Sequence, residues 1–111
     1  GRFELRLPDG AVNPYLLNAV ILAAGLDGVR TKADPGKRSD INMYTDGHLI
    51  KDAPKLPLNL LDALRAYDKD ATLKAMMGEE FSTAYLKLKH QEWDSFVSHF
   101  SRWEHENTID I

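Results

Sequence analysis

Three charged residues at alternate positions, Arg2, Glu4 and Arg6, carry the clearest chemical potential in this sequence. They interleave with Phe3, Leu5 and Leu7. A period of two predicts a half-buried strand, over about residues 2–7, with charges on one face and apolar side chains on the other. At about 3.3 Å per residue, Arg2 and Arg6 would stand roughly 13 Å apart with Glu4 between them. A carboxylate is a hard oxygen donor that suits a divalent cation. A guanidinium is a planar fork that matches phosphate or carboxylate. Such a row can be a cleft floor that holds a cation between two anions. It can equally be a solvated strand face with weak ion pairs, since exposed pairs stabilise little.

The elements around the row decide how it is held. Pro8 cannot donate to a ladder and Asp9-Gly10 is turn chemistry, so the strand should end there. No second convincing strand follows. A lone strand leaves its backbone groups unpaired, so its sheet partners are expected in another chain or in a part of the protein absent from this sequence. Asn13-Pro14 opens a helix. From Tyr15 to Leu26 it is apolar nearly all round, the mark of a buried helix, and Gly28 is its expected stop. One small core cannot cover such a helix, which again points to a fragment of a larger domain.

Residues Val29 to Pro57 read as a long connection. Asp34-Pro35-Gly36 fits a type II turn. Lys32, Lys37 and Arg38 make the connection locally basic, either as a solvated loop or as a phosphate contact. Asn59 and Asp70 can cap two short helices, with Leu60, Leu61, Leu64 and Tyr67 inward on the first, and Leu73, Met76 and Met77 on the second. A last helix of about two dozen residues carries Phe81, Tyr85, Leu88, Phe96, Val97, Phe100 and Trp103 on one stripe, with Trp93 on the same side, broken only by Glu92. That stripe packs on its own domain or meets another subunit. The expected fold is therefore α+β and mostly helical. It has one N-terminal strand (about 2–7) of a larger sheet, a buried helix, two short helices and a long C-terminal helix.

Composition narrows the function. The net charge of −3, from 14 basic and 17 acidic residues, argues against a dedicated nucleic-acid binder. The absence of cysteine excludes disulfides and thiolate metal sites. No apolar run reaches a membrane span and no signal peptide is present, so a cytoplasmic protein is expected. His48, His90, His99 and His105 lack the i, i+4 pairing of a helical metal site. No nucleophile triad, phosphate loop or dinucleotide fingerprint occurs.

Several stretches together resemble the C-terminal end of glutamine synthetase catalytic domains. They are Arg2-Phe3-Glu4-Leu5-Arg6-Leu7-Pro8-Asp9, Ala11-Val12-Asn13-Pro14-Tyr15, Ala24-Gly25-Leu26-Asp27-Gly28 and Asp34-Pro35-Gly36. Asn42-Met43-Tyr44, Leu56-Pro57 with Leu61-Asp62-Ala63-Leu64, Lys89 with Glu92-Trp93, and Trp103-Glu104 also fit. The closing Asn107-Thr108-Ile109-Asp110-Ile111 resembles the branch that includes the third-type rhizobial enzymes and γ-glutamylmethylamide synthetases.

The resemblance implies an ATP-dependent ligase that makes glutamine or a γ-glutamyl amide. Glutamate is phosphorylated on its side chain, and ammonia or a small amine displaces the phosphate. It implies Mg²⁺ or Mn²⁺, with Glu4 as a metal ligand, Arg2 on the ATP phosphates and Arg6 on substrate glutamate. It also implies a ring-shaped homo-oligomer, commonly a dodecamer, with the remaining active-site residues and an N-terminal β domain lying upstream, so the 111 residues alone should be inactive. Tyr44 aligns with a tyrosine that some bacterial members adenylylate. Thr45-Asp46-Gly47 departs from their context, and the modification is not carried over. The competing expectation is a non-catalytic helical oligomerisation module derived from the same fold. The intact Arg2, Glu4 and Arg6 favour the ligase, because a scaffold has no need of all three.

Overall fold

The computed structural model describes residues 1–52 and 54–108. The last three residues of the closing Asn107–Ile111 segment lie outside the described residues. The chain forms two compact units, Gly1–Leu56 and Pro57–Ile111.

In the first unit, helix α1 spans Pro14–Thr31. The Asn13 side-chain oxygen accepts from the N–H groups of Tyr15 (3.0 Å) and Leu16 (3.2 Å). Pro14 at the first helical position has no N–H to leave unpaired. The helix does not stop at Gly28 as expected. A glycine within a helix costs only about 1 kcal/mol, and the closing bonds are supplied further on. Lys32 adopts the left-handed conformation with φ 52°. Its N–H donates to the Val29 carbonyl at 3.3 Å, and the Ala33 N–H donates to the Gly28 carbonyl at 2.9 Å. This is a Schellman closure with lysine where glycine is usual. Ala23 is the one buried residue on α1, while Tyr15, Leu22, Leu26 and Val29 are exposed. The helix is apolar nearly all round from Tyr15 to Leu26, but it is not the buried helix expected, because the described residues of the chain do not supply its cover.

The connection after α1 is less irregular than its sequence predicts. Gly36 has φ 77°, as the expected turn requires of that position. Asn42 caps a short helix α2, Met43–Asp46, which leads into a 3-10 turn at Gly47–Leu49.

The N-terminal strand is a correction. Residues 1–7 form no regular structure, and the described residues contain no strand. Alternation assigns each side chain a side, but a strand exists only through a ladder. No other segment of this chain has the pattern to build one. Phe3, Leu5 and Leu7 are accordingly exposed. The described chain is all-helical rather than α+β.

The second unit packs α3 (Leu60–Lys69), α4 (Ala71–Met77) and α5 (Glu79–Val97) on one another. Asn59 Oδ1 accepts from the Asp62 N–H (2.9 Å), and Asp70 Oδ1 accepts from the Leu73 N–H (2.9 Å). Gly78, at φ 96°, ends α4 and begins α5. Leu64 and Ser82 are 3% and 1% exposed and mark the centre. Beside them, the Tyr85 ring lies edge-on to Tyr67 (6.1 Å) and stacked on Phe81 (5.7 Å). The Ser82 hydroxyl donates to the Lys74 carbonyl (3.2 Å), so the Tyr67 hydroxyl, 2.7 Å away, donates to Ser82 Oγ. One serine thus ties three helices together.

The long C-terminal helix is a second correction. Helix α5 ends at Val97, and α6 (Arg102–Thr108) starts anew. A capping box makes the break. Ser101 Oγ accepts from the Glu104 N–H at 3.2 Å, and a Glu104 carboxylate oxygen accepts from the Ser101 N–H at 2.8 Å. The expected stripe of α5 is covered only in part, at Phe81, Tyr85 and Trp93, and the residues beside it share the burial. Ser82, Tyr85, Leu86, Lys89 and Trp93 point inward, while Leu88, Phe96 and Val97 are exposed.

Candidate functional site

The charged row leads into a turn held by Asp9. One Asp9 carboxylate oxygen accepts from the Ala11 N–H at 2.6 Å, and the Asp9 carbonyl accepts from the Val12 N–H at 3.4 Å. The Asn13 cap follows at once. Two short side chains therefore set the path from the row into α1.

Within the row, Arg6 Nε donates to Glu4 Oε1. The two side chains are 82% and 70% exposed. Their i, i+2 spacing puts them on one side of the segment, as alternation predicts even without a ladder. Arg2 takes part in no ion pair among the described residues. The structure thus joins two of the three predicted site residues and leaves the third apart.

Glu4 offers the oxygen donor a hard divalent cation takes. Among the described residues, no three His, Asp or Glu side chains gather as a metal-binding group. Glu4 fits as one ligand of a set, since such a cation takes about six oxygens. The two guanidiniums fit anions in the same partial way.

The other polar groups singled out in the sequence do not converge on the row. Tyr44 is 99% exposed on α2. Arg38 pairs with Asp40 at 2.6 Å, both side chains exposed, which is the solvated-loop alternative for that basic stretch. His48 Nδ1 lies 3.1 Å from the Thr45 carbonyl. In the second unit, Lys89 holds Glu92, and that hydrogen bond lifts the lysine above its usual range against an opposing desolvation. The Ser101 backbone N–H, helped by the Ser101 hydroxyl, holds the Glu104 carboxyl below the usual carboxylate range. Ser82 and the Asn42-capped helix went unread in the sequence. Asn42 carried a cap signal, whereas nothing in the pattern marks Ser82 as the most buried side chain.

An N-terminal guanidinium–carboxylate row followed by a capped apolar helix is matched, over residues 1–108, by the model of an enzyme's catalytic domain. That model is described as "Glutamine synthetase, catalytic domain", and the chain belongs to this family. It is 69% identical over 111 residues to a glutamine synthetase of Rhizobium leguminosarum bv. phaseoli, covering 100% of the chain and 26% of that protein. It is 42% identical over 107 residues to a glutamate–methylamine ligase of Methyloversatilis universalis, covering 94% of the chain and 24% of that protein. A solved structure described as "Apo GmaS without ligand" matches with a TM-score of 0.90 and 52% identity, over 96% of the chain and 25% of the solved one. The chain spans about a quarter of the length of the curated relatives it matches.

Proposed function

We propose that this chain is the C-terminal part of an ATP-dependent ligase that joins ammonia or a small amine to the side-chain carboxyl of glutamate through γ-glutamyl phosphate. The observation that carries the reading is family membership over nearly the whole chain, with Arg2, Glu4 and Arg6 intact. In it, Arg2 binds the ATP phosphates, and Arg6 binds glutamate near the transferred group. Glu4 holds one divalent cation, Mg²⁺ or Mn²⁺, which when bound neutralises phosphate charge. Phosphoryl transfer is mainly positioning and charge neutralisation, and these residue types supply both. The 111 residues alone are inactive in this reading, because one carboxylate does not make a metal site. A cytoplasmic, ring-shaped homo-oligomer is part of the same reading and rests on the family resemblance.

The acceptor is ammonia or methylamine. The Rhizobium relative supports the first, and the methylamine ligase of Methyloversatilis universalis supports the second. The test is ADP release by the longer protein with glutamate and a panel of ammonia, methylamine and ethylamine, with the product identified by mass. Turnover that needs both glutamate and one of the amines is expected. ATP turnover indifferent to both would overturn the reading.

A further inference from the structure

The break between α5 and α6 is held by side chains, not by a backbone lock. No proline or glycine occurs from Glu79 to Thr108. Helix α1 closes on a left-handed lysine and α4 on a positive-φ glycine. Helix α5 instead closes on Ser98 at φ −80° and ψ −13°, which is right-handed helical geometry. The Ser98 N–H still donates four residues back, to the Asp94 carbonyl at 3.0 Å, and the His105 N–H donates to the Ser101 carbonyl at 3.0 Å. Only His99, Phe100 and Ser101 separate the end of α5 from α6. We propose that residues 98–101 are a two-state joint, broken as in the structure or helical, so that α5 and α6 then run on as one helix from Glu79 to Thr108.

Two local ties favour the broken state. One is the capping box of Ser101 and Glu104. The other is the Phe100 ring, which lies edge-on to His105 at 6.3 Å. Residues five apart on a continuous helix point about 140° away from each other, so this contact belongs to the broken state alone. The straight state has gains of its own. The first N–H groups of α6 find carbonyl partners in the last turn of α5. Trp93, Phe96, Phe100 and Trp103 fall on one face at three- and four-residue steps. Phe96, Phe100 and Trp103 are all exposed in the broken state. The joint thus decides whether Phe100 and Trp103 continue the aromatic face of α5 or leave it.

The experiment is peptide-resolved amide hydrogen exchange on the longer protein carrying Ser101→Ala. The change removes the cap and puts the best helix former in the joint. Loss of an N-cap shifts such a balance by about twofold to thirtyfold. Exchange at residues 99–103 is expected to slow, while residues 104–108 keep their protection. Arg102→Pro supplies the converse. Proline is tolerated at the first position of α6, but within a continuous helix its ring meets the Ser98 carbonyl. Added to Ser101→Ala, it is expected to cancel the slowing. Unchanged exchange at 99–103, or faster exchange throughout 99–108, in Ser101→Ala would overturn the joint and leave the box as the start of an independent helix. Slowing that survives Arg102→Pro would overturn it as well.

Discussion

Replacing Ser82 by alanine tests the packing of the second unit at its most buried point. The change deletes an oxygen that accepts from the Tyr67 hydroxyl at 2.7 Å and donates to the Lys74 carbonyl at 3.2 Å. The two losses are unequal. The Lys74 carbonyl keeps the Gly78 N–H at 3.0 Å. The Tyr67 hydroxyl loses its acceptor, but it is half-buried and recovers part of the loss from water. A net hydrogen bond contributes about 0.5–1.5 kcal/mol, and a stranded buried donor costs about 1–3 kcal/mol. The expected cost of Ser82→Ala is therefore about 1–2 kcal/mol. Amide hydrogen exchange, resolved by peptide, reads it locally in α3–α5. About 1.4 kcal/mol corresponds to tenfold faster exchange. Tyr67→Phe removes only the donor and should cost less, and the two changes together should cost less than their sum. Unchanged protection in Ser82→Ala, or strict additivity of the pair, would refute the three-helix tie.

Other changes probe single joints. Gly78 has φ 96°, and a Cβ there meets open space, so Gly78→Ala isolates backbone strain. It should destabilise by about 1–3 kcal/mol in denaturant titration, and a neutral result would contradict the positive-φ joint between α4 and α5. Lys32→Gly should stabilise by about 1 kcal/mol, because Lys32 sits in the left-handed closure of α1; a loss of stability would count against that closure. The Glu104 carboxyl is held low in the folded chain, so its capping contribution is complete above the ordinary carboxylate range and is lost as pH falls through the lower folded value. Trp103 fluorescence should report release of the capped start of α6 over that acid window, and Glu104→Gln should weaken the transition.

Much of the helical body was legible because its signals are local. Asn13-Pro14, Asn59 and Asp70 each start a helix where their side chains accept backbone N–H groups. Period-two alternation in residues 2–7 was equally clear, but alternation alone makes no strand, and the described residues offer no partner for a ladder. The same limit holds for α1, whose apolar surface the sequence shows but for which the described residues supply no cover. The break between α5 and α6 was written in Ser101 and Glu104, and was masked by aromatic spacing that runs on through Phe100 and Trp103. For the site, residue types offered cation and anion roles beside the alternative of a solvated row. The pairing of Glu4 with Arg6, and the separateness of Arg2, emerged only from the structure.

The most direct measurement is the magnesium dependence of amide synthesis by the longer protein carrying Glu4→Gln. The swap keeps side-chain size and removes the charge, and a neutral amide oxygen binds a hard divalent ion more weakly than a carboxylate does. Residues that only support a metal ligand already cost tenfold to about a hundredfold when changed, so loss of a direct ligand should cost about a hundredfold or more in turnover. Part of that loss should return at high Mg²⁺, with helical content unchanged by circular dichroism. Near-normal turnover with an unshifted Mg²⁺ requirement would contradict the assignment of Glu4.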